Sequence, residues 1–521
     1  MPRGDVETLA GDGPLVWLAP HGGARDAGRR PWVRERLRVN DLHTASLAAE
    51  LARATGGPAL VNARHDRNDV DLNRIVEAHE RAPWFLEALA DVLEATVARH
   101  GRATLLVVHG WNVVQPAVDL GLGCLPAADP WHVPPASAVS AAFARRALPA
   151  FVDALATAGI RATVGARYPA RHRENLLQLF TPRYRDDPRP LVRRLAALAR
   201  QTDAVQLELG IPLRWQGAWR GRFVAACRSA QGALAAPADR APAASAAAAP
   251  DAGVAAPARR LQFAGAELSG LVAIDDDARA GRLLLFAPDG TLTLFTGERA
   301  GAEAPGRVGP LHVAPQADGL GIRLAGPLLR FPDATPFLDL ELGLARAALV
   351  EAEVALDFRP DHGGGAPGDF GRVTGTVTLD GVARAIDARG FADAGAAPAP
   401  WPRVRAALHW GRAGLSVTVG LGDGTASGFY CGPRGHVAVH AARAELHAAG
   451  DGWEAIALDV ALADGERVRL HARVAHRLPV VRAREPTPIR LDFVSCVLDG
   501  EPPGAASAPL PAGWCEIAGG S

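Results

Sequence analysis

The run TLLVVHGWN (residues 104–112) decides the reading of the first half of the chain. Leu105 to Val108 form an unbroken apolar stretch of strand length that ends at His109 and a glycine. Outward from it, LVWLAP (15–20), PALVNA (58–63), RATVGA (161–166) and AVQLEL (204–209) have the same character. Between them lie amphipathic segments, TASLAAELARAT (44–55), PWFLEALADVLEATVARH (83–100) and SAAFARRALPAFVDALATAG (140–159). Strands alternating with helices at this spacing predict an α/β layered fold around a mainly parallel sheet. In such sheets the loops at the carboxyl ends of the strands carry the site.

The rhythm stops at residues 233–258, which are almost wholly Ala and Pro. Such a segment has little to bury, and its prolines block regular pairing, so residues 236–258 read as a semi-extended linker after an α/β domain at 1–235. Beyond it, short alternating runs such as RLLLFAP, TLTLFTG, RVTGTVTLDG and RVRLHARVAH are separated by glycine-rich turns. Asp-Gly pairs at 289–290, 380–381, 423–424 and 464–465 are hairpin signals. Residues 259–521 therefore predict an antiparallel all-β region, divided into two barrels at about 259–360 and 361–519.

Composition bounds the partners. The 521 residues are 48% hydrophobic and 21% charged, a globular balance. The net charge is +0, so no global field draws in nucleic acid or an anionic membrane. Cys124, Cys227, Cys431, Cys496 and Cys515 form no CxxC pair, which argues against a zinc ribbon or a disulfide framework. With neither a signal peptide nor an 18-residue apolar span in the sequence, the expected location is the cytoplasm.

Four polar clusters sit where the strands of the first domain end. His21 follows the first strand in PHGG, and VNARHDRNDVDLNR (61–74) follows the second. His109 ends the third, and Glu208 lies within the last, between Leu207 and Leu209. Asp41, in VNDLHTASL, stands at a helix entrance, where taken alone it reads first as an N-cap neighbour. A carboxylate between two leucines in a central strand is costly to bury without a cation beside it. Two histidines and a carboxylate from different strand ends are the usual ligand set of a catalytic zinc with one open position. A further glutamate can serve as its base, and arginine with asparagine can clamp a substrate carboxylate.

In order and spacing these segments resemble the N-formylglutamate amidohydrolases over about residues 13–235. HDRNDVDLNR and AVQLEL are the most specific pieces of the likeness. The resemblance implies a phosphorylase/hydrolase-like α/β sandwich of the zinc-peptidase kind, holding one zinc ion (Zn2+) through His21, Asp41 and His109. His43, two residues from Asp41, is the competing ligand. It also implies that Arg67, Asn73 and Arg74 hold the substrate and polarise its carbonyl, with Asp71 bracing that substrate-binding loop. Glu208, with Arg67, would be catalytic. Where the family commonly has an acid two residues before the second histidine, this chain has Val107.

The second half loosely resembles the tandem lipocalin-like domains related to carotenoid hydratases, in DARGFADAG (387–395) and LPVVRAREPTPIRLDFVSC (478–496). Its family motif of Asp-His-Ser-Trp-Gly type is replaced by Ala392-Asp393-Ala394-Gly395. Two functional readings follow. One is a zinc-dependent amidohydrolase cleaving a small N-acyl amino acid or related carboxylate-bearing amide. The other is a catalytically impaired hydrolase fold fused to a lipocalin-like module that binds an apolar ligand.

Overall fold

The computed structural model describes residues 6–24, 38–235, 259–275, 279–299, 303–333, 340–361, 368–393, 403–410, 413–421, 425–432, 435–449, 452–482, 489–499 and 512–520. The described residues fall into two compact units, one up to residue 235 and the other from residue 259. The Ala/Pro segment 236–258 lies outside the described residues.

Among the described residues, the first unit is built on β1 (Glu7–Leu9), β2 (Leu15–Ala19), β3 (Ala59–Val61), β4 (Ala103–Trp111), β5 (Ala117–Gly121), β6 (Arg161–Val164) and β7 (Thr202–Gly210). They form one sheet in the order β1-β3-β2-β4-β7-β5-β6. β3, β2, β4 and β7 run parallel, whereas β1 and β5 pair antiparallel with β3 and β7. Both faces are covered, which explains the unbroken apolar run in β4. Leu106 and Val108 pack on one side with α1 (Thr44–Thr55), α4 (Ala141–Thr157) and α6 (Ala218–Ala235). Leu105 and Val107 pack on the other with α2 (Ile75–Arg81), α3 (Pro83–His100) and α5 (Pro190–Ala197). Each of these side chains is removed from water, a gain of about 1.5–3 kcal/mol apiece. A charge at Val108 would therefore break the sheet's own core. The layering is the predicted α/β sandwich, and β2, β4 and β7 lie side by side at its centre.

The second unit is antiparallel throughout its described strands, also as predicted. Ten strands from Arg259–Ala264 to Val382–Asp393 form one sheet. Leu292–Glu298 pairs a second time, with Gly319–Phe331, which curls that sheet back on itself. Eight further strands, from Arg403–Trp410 to Ala512–Gly520, close into a barrel whose last strand pairs with its first. Leu408, Leu415, Val417, Ile456, Leu458 and Val460 pack together in its core.

The Asp-Gly turns at 289–290, 380–381 and 464–465 join paired strands, and 423–424 lies outside the described residues. Asp380 and Gly381 have φ of 48° and 80°, the paired positive angles of a tight two-residue hairpin. The sequence division near 360 does not match the strands. Ala348–Pro360 and Gly368–Leu379 pair from Ala352↔Leu379 to Pro360↔Gly371 within one sheet. The glycines at 363–365 invite a boundary by composition, but matched patterns on either side carry the ladder past them. No helix among the described residues is long and apolar enough to cross a membrane.

Candidate metal centre

Three neighbouring strands deliver the polar groups. β2 leads into His21, β4 carries His109 two residues before its end, and β7 places Glu208 directly opposite His109 in the parallel ladder. Asp41 arrives from the segment before α1 through its backbone, its N–H donating to the carbonyl of His21 at 2.9 Å. The Asp41 carbonyl accepts from the Thr44 N–H (3.1 Å) and hydroxyl (2.6 Å), so the main chain, not the carboxylate, starts the helix. That frees the carboxylate to turn inward. His43 is the N-cap residue, with φ of 67° and no side-chain cap bond.

One carboxylate oxygen faces both histidines. Asp41 Oδ2 lies 3.3 Å from His21 Nδ1 and 3.0 Å from His109 Nδ1. The rings meet edge to face, with centroids 4.8 Å apart. All three side chains are buried, and their ligand atoms lie within 4.8 Å of one another, a set that could hold a metal ion. His43 takes no part. Its ring packs against Trp215, 4.4 Å between centroids, and burial with the charges of Arg214 and Arg220 lowers its pKa to about 4.

The donor chemistry fits a cation. Burial holds His109 down at about 4 despite the Asp41 hydrogen bond, so its ring is neutral at pH 7. Burial opposes ionisation of Asp41, but the His109 hydrogen bond with the nearby His21 and Arg67 outweighs it and holds the carboxyl well below its usual range. His21 Nε2 sits 2.7 Å from Asp71 Oδ1. A ring that gives this proton to Asp71 points a lone pair from Nδ1 at Asp41, an arrangement a cation completes. His109 Nε2, by contrast, is buried without a hydrogen-bond partner among the described residues, in keeping with Val107 in place of an acid.

The remaining predicted residues are placed as follows. Asp71 braces its loop by accepting from the Asn73 N–H (3.1 Å), and it also orients His21, a role the sequence did not indicate. Arg67 lies against the cluster, its Nη1 donating to Asp41 Oδ1 (3.3 Å) and to the Val39 carbonyl (3.1 Å). Asn73 Oδ1 is buried with no partner among the described residues. Arg74 is partly exposed, 3.7 Å from Asp71 Oδ2 and bonded to His172 at 3.0 Å. Glu208 is buried, and burial together with the nearby Asp41 charge pushes its carboxyl well above the usual range.

Two buried groups escaped the sequence reading. Arg214 donates to the carbonyls of Leu209, Leu42 and Trp111 and to Asn112 Oδ1, tying the strand ends together. A Cβ on Gly110 would lie 2.5 Å from its Nη1 and 3.1 Å from Asp41 Cβ, so the chain passes this point only as glycine. Asp119, on β5, accepts from Thr163 and from the backbone of Ala166, Arg167 and Tyr168. An arginine after a strand and an acid inside a short one give no periodic signal.

No family model matches the sequence, and no curated protein does. Among solved structures, the chain is similar to N-formylglutamate amidohydrolase from Ralstonia eutropha JMP134, at 16% identity and a TM-score of 0.30, covering 44% of this chain and 96% of that one. It is also similar to kievitone hydratase from Nectria haematococca, at 11% identity and a TM-score of 0.29, covering 50% of this chain and 88% of that one. CghA matches at 11% identity and a TM-score of 0.29, over 51% of this chain and 89% of its own.

Proposed function

We propose that the first unit is a zinc-dependent hydrolase that cleaves the amide bond of a small N-acyl amino acid or related carboxylate-bearing amide. One observation carries the reading: His21, Asp41 and His109 converge within 4.8 Å in a buried cluster beside Glu208. A zinc ion held by these three residues would supply Lewis acidity toward a carbonyl and toward water. Glu208 takes a proton from the attacking water and returns it to the leaving amine nitrogen, serving as base and then acid. Positive charge at the cluster would offset the Asp41 repulsion that helps raise the Glu208 pKa. Asn73 and Arg74 hold the substrate carboxylate, the arginine as a planar fork, and Arg67 adds positive charge beside Asp41.

Elemental analysis of the purified full chain, paired with a screen of N-acyl amino acids, tests the reading. About one zinc per chain is expected, with turnover that a chelator abolishes and added zinc restores. Metal-free protein that takes up no zinc would sink it.

The unpartnered His109 Nε2 favours a second reading, in which the cluster binds metal weakly and turnover has been lost. The chain would then serve as a binding protein, its β-rich unit taking an apolar ligand. Zinc uptake without turnover across the screen distinguishes that case.

A further inference from the structure

Two buried amides stand behind Glu208 with no part in the scheme above. Asn175 Oδ1 accepts the Leu177 backbone N–H at 2.9 Å, capping the turn Leu176–Phe180. A backbone N–H can only donate, so this bond fixes which way the Asn175 amide faces. Its Nδ2 then donates to Gln206 Oε1 at 2.9 Å, which leaves Gln206 Nε2 to donate to Glu208 Oε1 at 2.8 Å. Gln206 and Glu208 are two apart on β7 and share one face of the sheet. All three side chains are buried, where an unmade amide bond costs more than a made one gains. The same Asn175 is bridged through its backbone to Arg74, and the Leu176 N–H donates to the Asn73 carbonyl at 3.1 Å.

We infer that Gln206 is a positioning residue for Glu208, its polarity set by Asn175, so that Glu208 Oε1 is held as an acceptor and Oε2 takes and returns the proton. This rests on the reading of Glu208 as the acid/base residue. The relay is directional because a backbone donor fixes it at one end and the carboxyl terminates it at the other. Glu208 Oε2 carries no hydrogen bond among the described residues, so the relay commits one oxygen and spares the other. Asn175 also supports the Asn73–Arg74 segment, so one residue sets the acid/base group and the substrate clamp in common register.

Two variants separate positioning from mere filling. Gln206→Met keeps length and apolar bulk but removes the donor. Asn175→Asp keeps the acceptor for Leu177 but removes the donor to Gln206, which then turns its own amide toward the new carboxylate. The first readout is a crystal structure of each variant and needs no substrate. In both, the Glu208 carboxyl is expected to leave its wild-type position or to spread over two. A carboxyl that superposes on the wild type in either variant overturns the inference.

The second readout is kinetics on whichever acyl amino acid the screen identifies. Gln206→Met should lower kcat about 10-fold or more with KM little changed, since misplacing a reacting group acts on the transition state. In a Glu208→Gln background the same change should have no further effect, because it acts through a group already disabled. Losses that simply add would mark a structural role and overturn the inference. If no acyl amino acid is turned over, the proposed activity fails, while the crystallographic comparison still decides the placement. Should Gln206→Met fail to fold, Asn175→Asp, which preserves the cap, gives the same comparison.

Discussion

Asp41 shows why a residue's type and spacing leave its role open. An acid ahead of Thr44 and an apolar helix satisfies the pattern of a cap as well as that of a ligand, and only the backbone bonds at its carbonyl release the side chain. Asp71 read in sequence as a loop brace, and its bond to His21 spans fifty positions that no spacing rule connects. That bond yields a prediction. Asp71→Asn keeps the shape but takes away the charge that fixes the His21 ring, so zinc affinity should fall about 10–100-fold. Competition against a chromophoric chelator measures it, and unchanged affinity would make Asp71 a loop brace alone. Glu208→Gln tests the other end of the site. It should lower kcat by about 10²-fold or more while zinc content stays at the wild-type level, because the proton acceptor goes and the ligands remain. Full activity in a well-folded variant would remove Glu208 from the mechanism. The histidines and Glu208 stood out in the sequence because chemistry restricts their types, whereas Asp41 carried two readings. Asn175 and Gln206 were not, since neutral amides occur anywhere a buried polar group must be met.

At the scale of elements, long periodic segments were legible nearly to the residue. Thr44–Thr55 and Pro83–His100 are the helices that their apolar spacing indicated, and the five apolar runs all became strands. β1 and β5 went unseen for different reasons. β1 is three largely exposed residues at a sheet edge, and β5 carries Asp119 where an apolar residue would have marked it. Asp119 is also what holds that edge together. Its two oxygens gather the Thr163 hydroxyl and three backbone N–H groups, at 2.6–3.0 Å, around the turn after β6. Asp119→Ala would take the shared acceptor from those partly exposed donors, at a cost of about 1–3 kcal/mol. Denaturant unfolding of the variant should show that loss as a lower midpoint. A midpoint within error of the wild type would mean that water replaces the carboxylate and that the edge is held by its ladder instead.

Across the whole chain, two kinds of fold stand on either side of a segment with nothing apolar and bulky to bury. Residues 236–258 offer only Ala, Pro and a few small or charged side chains, so the two parts should hold separate cores. Dilute protease is therefore expected to cut within about residues 236–257 and release two folded fragments. Acid should weaken both fragments, and one histidine should then tell them apart. His409, in the second, is buried, and burial together with the nearby Arg389 charge lowers its pKa to about 3. The unfolded chain binds a proton on this histidine near its ordinary value of about 6.5, whereas the folded one does not. Stability is thus fully present above about pH 6.5 and is lost as the pH falls toward 3, by up to about 1.4 kcal/mol per unit. Replacing the ring removes this dependence, so His409→Leu should flatten the acid limb of the C-terminal fragment and leave that of the N-terminal fragment untouched. Thermal unfolding of each fragment across pH 4–7 reads both effects. Fragments that unfold on release, or one cooperative transition in the intact chain that vanishes on cleavage, would show a shared core and refute the division.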